Sequence, residues 1–149
     1  MLFRSTKTGV LEAVFDLIAL DSGMERMREV MMQPPGDAQL EKFVGIFCGF
    51  WSRNRALLRR VHGIGAIDPE FGAVIEARNL RRRVAATRIV QRMSGDDAGP
   101  KAAVLAALTS FEFFDALAES CGSETEAEGL VLRLARNALS LPDGQTAAG

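Results

Sequence analysis

The stretch Ala102-Ala103-Val104-Leu105-Ala106-Ala107-Leu108-Thr109-Ser110-Phe111-Glu112-Phe113-Phe114 has Thr109, Ser110 and Glu112 as its only polar residues. Turn residues bracket it, Ser94-Gly95-Asp96-Asp97 before and Gly122 after, so the pattern predicts a helix from about Ala98 to Cys121. On such a helix Val104, Leu105, Leu108, Phe111, Phe113 and Phe114 point in several directions, and a helix apolar on most sides must be buried on more than one. The next segment repeats the pattern. Ser123-Glu124-Thr125-Glu126 reads as a capping box, and the helix it opens carries Leu130, Val131, Leu132, Leu134, Ala138 and Leu139 and ends at Pro142. Two such helices in succession cannot both be central in a chain of 149 residues. Self-association resolves this: one face meets the core and the other a second copy, giving an intermolecular four-helix bundle about a two-fold axis. Leu105, Leu108, Phe114, Leu130, Leu134 and Ala138 are the expected interface. At about 25 cal/mol per Å², exposing several such side chains would cost several kcal/mol. The alternative is a monomer whose helices are simply central.

Working outward, apolar residues recur at three and four rather than two, and hairpin turns are missing, so the fold class is all-α with about six helices. A first helix starts near Thr6, with Val10, Val14, Leu17 and Ile18 on one face. Gly23 kinks or interrupts it before Met24, Met27, Val30 and Met31, and Pro34-Pro35-Gly36 ends it. Asp37 caps a second helix with the face Leu40, Phe43, Val44, Phe47 and Trp51. The stripe shifts at Arg53-Asn54-Arg55, and a short third helix holds Leu57, Leu58 and Val61 until Gly63 and Gly65 stop it. Asp68 as N-cap, Pro69 and Glu70 open a fourth helix that runs to about Met93.

Hydrophobic residues make up 48% and charged residues 25%, ordinary for one globular domain. Net charge is -1, which offers no overall basic field for phosphates. Residues 53–92 carry ten Arg against Asp68, Glu70 and Glu76, whereas residues 93–149 carry nine acids against Lys101, Arg133 and Arg136. Helices of opposite sign lying side by side or facing water explain that better than nucleic acid, because the basic block lacks Lys, Tyr and a Gly-rich loop. Cys48 and Cys121 are too few for a disulfide framework and read as buried thiols in a reducing compartment. No apolar run has signal-peptide or membrane-spanning length. A cytoplasmic location away from any membrane is expected.

Several segments together resemble the C-terminal region of TetR/AcrR-type transcriptional regulators. Lys7-Thr8-Gly9-Val10-Leu11-Glu12-Ala13-Val14-Phe15 looks like the segment that follows the family's helix-turn-helix and opens its fourth helix. Phe50-Trp51-Ser52-Arg53-Asn54-Arg55-Ala56-Leu57-Leu58-Arg59 is similar to its aromatic helix running into Asn, Pro or Arg, Ala, Leu. Leu108-Thr109-Ser110-Phe111-Glu112-Phe113-Phe114-Asp115-Ala116-Leu117 looks like its eighth helix, and the capped last helix like its ninth. The resemblance implies a ligand-sensing and dimerising helical body, with the last two helices pairing across the two-fold axis. Residues 1–5 then stand as a remnant of the helix-turn-helix junction, 6–141 as the effector-binding and dimerisation domain, and 142–149 as a flexible tail. DNA would be reached only through a head this chain does not contain. Whether it is a fragment, a mis-started frame or a true sensor-only protein stays open. A stand-alone helical dimer, binding small molecules or modulating a full-length relative, is the alternative.

The resemblance also implies an effector pocket inside the helices. Phe43, Phe47 and Trp51, with Phe50 nearby and Phe111 from the fifth helix, are its candidate apolar wall, although ordinary core is a sufficient account of any one of them. On the fourth helix Phe71, Ile75, Ala85, Ala86, Ile89 and Met93 share a face with Arg78 and Arg82. A guanidinium there needs a partner, and Glu112 is the candidate. Either a buried Arg–Glu pair orients two helices, or the arginines clamp an effector carboxylate. His62, the one histidine, stands beside Gly63 and reads as exposed or capping. No HExxH, Cys–His or phosphate-loop pattern occurs. No enzymatic activity, metal or cofactor is expected.

Overall fold

Turn residues and apolar stripes divide the chain into helices almost without linkers. The computed structural model describes residues 6–95 and 98–141. Among these, every regular element is helical: α1 (Thr6–Asp21), a 3-10 turn (Met24–Arg26), α2 (Met27–Met32), α3 (Asp37–Arg53), α4 (Arg55–Ile67), α5 (Pro69–Ser94), α6 (Ala98–Leu108), α7 (Phe111–Cys121) and α8 (Glu124–Ala138). The all-α expectation is met, with eight α-helices rather than six. The junction assigned to residues 1–5 and the tail assigned to 142–149 lie outside the described residues.

Two of the predicted helices are split, each at a residue with a physical reason. Gly23 adopts a left-handed φ of 72°, which a β-carbon disfavours, and the chain turns there before α2. The predicted fifth helix breaks at Thr109-Ser110. Ser110 takes an extended conformation and its hydroxyl accepts from the Phe113 amide at 3.2 Å, so it caps a new helix instead of continuing the old one. Glu112 in that first turn suits the positive helix end.

The short third helix does not stop at Gly63 or Gly65; α4 continues through both to Ile67. Gly65 allows close approach instead. A β-carbon there would lie 2.5 Å from Ile75 Cδ1, and one on Gly72 would lie 2.9 Å from the Gly65 carbonyl oxygen, so α4 and α5 cross nearly backbone to backbone. Asp37 is the first residue of α3 rather than its side-chain cap, and its carboxylate receives Arg136 of α8 at 2.6 and 2.8 Å. Asp68 does cap α5, accepting from the amides of Glu70 (3.0 Å) and Phe71 (3.4 Å) ahead of Pro69. Ser123 likewise caps α8 through the Glu126 amide.

The centre of the fold is α3. Beyond the predicted face of Leu40, Phe43, Val44, Phe47 and Trp51, it also buries Ile46, Cys48 and Phe50. Around it, α5 packs along α4 and α6, α8 packs on α3, α6 and α7, and α1 lies on α5. The charge asymmetry is met by such neighbours. Arg55 and Arg59 of α4 reach Asp115 of α7 at 2.6 and 2.9 Å, and both reach Glu119. No helix among the described residues is long and apolar enough to cross a membrane.

Candidate functional site

A cavity of about 140 Å³ lies between α1, the turn after it, α3, α4 and α5. Phe15 and Ala19 come from α1, Met24 from the turn, Phe47, Phe50 and Trp51 from α3, His62 from α4, and Ile75, Arg78, Asn79, Arg81 and Arg82 from α5. Helical spacing explains the convergence. Phe47 and Trp51 lie one turn apart on α3, as Phe15 and Ala19 do on α1 and Arg78 and Arg82 on α5. The rings interlock edge to face: Phe50 on Trp51 at 5.1 Å and Trp51 on Phe111 at 5.7 Å between centroids.

The helix break between α6 and α7 supplies the polar support of this wall. Trp51 donates from Nε1 to the Thr109 carbonyl at 3.0 Å. Arg82 donates from Nη1 to the Ala106 carbonyl and to Thr109 Oγ1 (3.2 Å), and Thr109 Oγ1 donates to the Leu105 carbonyl at 2.8 Å. Ala106 offers its carbonyl because the Ser110 amide turns to Ala107 instead. The buried cation therefore sits at the negative end of α6, where carbonyls without intrahelical donors favour positive charge. Burial lowers the Arg82 pKa to about 10, and its Nε–H is buried without a hydrogen-bond partner among the described residues.

Glu112 does not meet Arg82. The break re-aims α7, leaving the Glu112 side chain 64% exposed, with Oε1 3.5 Å from His62 Nε2. Arg78 also differs from expectation. It leaves α5 for α1, donating from Nη2 to Asp16 (2.7 Å) and to the Glu12 carbonyl (3.4 Å), with its guanidinium carbon 5.3 Å from the centre of the Phe15 ring. That hydrogen bond holds the Asp16 carboxyl below its ordinary range. Arg78 thus ties down the α1 side of the cavity.

Of the remaining candidates, Phe47 and Trp51 line the cavity, Phe43 is fully buried behind them, and Phe111 backs Trp51 and His62 from α7. His62 is neither capping nor exposed. It lies mid-helix, stacked on Phe111 at 4.7 Å, with Nδ1–H donating to the Leu58 carbonyl at 2.8 Å. Treating the two glycines as a stop hid it; read as helical, they place His62 one turn after buried Leu58. Phe50, expected near that wall, does line the cavity; Phe15, Ala19, Met24, Ile75, Asn79 and Arg81 were absent from the candidates, those of α1 because it had no sequence signal directing it onto α5.

Of the expected interface residues, Leu105 and Phe114 are buried in the protomer's own core, Leu108, Leu130 and Ala138 are half-buried, and Leu134 is exposed. Cys48 is buried, with burial pushing its thiol up to about 12, while Cys121 is half-buried. Among the described residues no three His, Cys, Asp or Glu side chains converge as a metal site requires. Comparison with protein-family models, curated proteins and solved structures finds no match.

Proposed function

We propose that this chain is the ligand-sensing and dimerising body of a TetR-like transcriptional regulator, with a small-molecule effector held in the cavity between α1, α3, α4 and α5. The observation that supports it is the cavity itself: an aromatic wall, a buried cation and a side formed by the first helix. That side is α1, whose Phe15 and Ala19 face the ligand space and whose Asp16 is tethered by Arg78. A DNA-binding head preceding α1 would be carried by that helix. Ligand occupancy would bias α1 between two positions and change the separation of two heads, which must match half-sites about 34–36 Å apart. The ligand acts only through its differential affinity for the two states.

Pairing would place Val104 of α6 and Leu134 of α8, 43% and 39% exposed on helices that pack together, against a second copy. Sedimentation equilibrium at micromolar concentration should show a dimer, and Leu134→Glu should raise the monomer fraction. A small neutral aromatic such as toluene should stabilise the chain against heat and change hydrogen exchange in α1 more than in α8. A monomer at that concentration, or no aromatic that binds at millimolar levels, overturns the proposal.

A further inference from the structure

The cavity is lined mainly by apolar groups, yet its buried cation keeps part of its hydrogen-bonding capacity unmet. Arg82 commits Nη1 to the Ala106 carbonyl and Thr109 Oγ1, and its Nε–H has no partner among the described residues. In a guanidinium, Nε–H and one Nη2–H share an edge and point the same way, matching the two oxygens of a carboxylate. That is the edge remaining once Nη1 is taken. Among the described residues the nearby acids do not fill it: Glu112 is outward beside His62, Asp16 holds Arg78, and Glu76 holds Arg83. Size limits the rest of the ligand. A dry apolar cavity of roughly 150 Å³ takes a guest the size of benzene, and this one is about 140 Å³.

We propose that the cavity takes a small aromatic monocarboxylate of about benzoate size, its ring among Phe15, Phe47 and Trp51 and its carboxylate drawing the packed Arg82 Nε and Nη2 edge round to hold it side-on. The inference rests on the cavity being a ligand site. A planar carboxylate suits the fork and carries one charge to offset the one already buried. A phosphate would bring a second charge and a tetrahedral shape among aromatic rings.

Titrating the full chain with benzoate, benzamide, toluene and inorganic phosphate, read by thermal shift and calorimetry at constant ionic strength, tests this. Benzoate should bind saturably, benzamide about tenfold or more weaker, and phosphate should neither bind nor compete. Arg82→Lys keeps the charge and loses the fork, so it should weaken benzoate by about tenfold while sparing toluene. Ala19→Phe fills the cavity without touching Arg82 and should remove both aromatic ligands. The ligand series on the unaltered chain decides the matter if an Arg82 variant does not fold. Toluene binding without preference for benzoate over benzamide overturns the carboxylate assignment and leaves the pocket standing. No binding by any aromatic probe overturns both.

Discussion

Replacing Thr109 with valine isolates what the α6–α7 break does for the buried charge. Valine keeps the branched shape at a fully buried position and removes only the hydroxyl. Lost are the acceptor for Arg82 Nη1 at 3.2 Å and the donor to the Leu105 carbonyl at 2.8 Å. The Leu105 carbonyl keeps the Thr109 amide at 3.1 Å, so that second loss is small. The first is larger, because Nη1 of a buried guanidinium is left with the Ala106 carbonyl alone. A hydrogen bond to a charged group contributes about 1.5–3 kcal/mol, and the added methyl returns roughly 1 kcal/mol. A net destabilisation of about 0.5–2 kcal/mol is expected, or a Tm about 1–8 °C lower at this chain length. Urea unfolding followed by circular dichroism measures it, at fixed protein concentration because self-association shifts apparent stability. The companion measurement repeats the change in an Arg82→Met background, where Thr109→Val should be neutral or stabilising. An equal cost in both backgrounds would refute the assignment of Thr109 to Arg82.

The α4–α7 ion pairs should make stability acid-sensitive. Burial pushes the Asp115 carboxyl up, but hydrogen bonds from Arg59 and Arg55 outweigh it and leave the pKa lowered. A depressed folded-state pKa contributes stability above the unfolded value of about 3.9 and loses it as pH falls through the folded one. Asp115→Asn should therefore be about 0.5–1 kcal/mol less stable than the parent at pH 7, with the two unfolding curves converging in acid; a constant gap across that range counts against the pairing. At the α4–α5 crossing, Gly72→Ala meets a backbone oxygen and Gly65→Ala only the end of Ile75. The first should cost about 1–3 kcal/mol and the second less, and the opposite order in chemical denaturation would disprove the close approach. A thiol reagent should modify Cys121 in the native chain and Cys48 only on unfolding. Rapid reaction of both under native conditions would contradict the burial of Cys48.

Much of the fold was legible locally because helix ends are local chemistry. Asp68 before Pro69, Ser123 before Glu126 and Pro34-Pro35 each act on amides within a turn of themselves, and each falls at an observed boundary. The Thr109-Ser110 break had a signal of the same kind, a serine with an acid two residues on, but the apolar run around it favoured one continuous helix. Gly63 and Gly65 misled in the other direction. Glycine weakens an isolated helix, yet here the missing side chain lets α5 approach, and that requirement exists only where two helices cross.

The candidate cavity divides along the same line. The sequence alone determined that Phe47 and Trp51 share one face of a helix and that Arg78 and Arg82 share a face of another, since both follow from helical periodicity. Only the tertiary structure decided what meets those faces. The apolar stretch 102–114 is two helices, and the carbonyls exposed between them, rather than Glu112, receive Arg82. Periodicity orients a side chain about its own axis, but the angle at which the next helix leaves a break depends on packing against α3 and α8. That angle carries Glu112 outward to His62 and leaves the buried Arg82 Nε–H without a partner among the described residues.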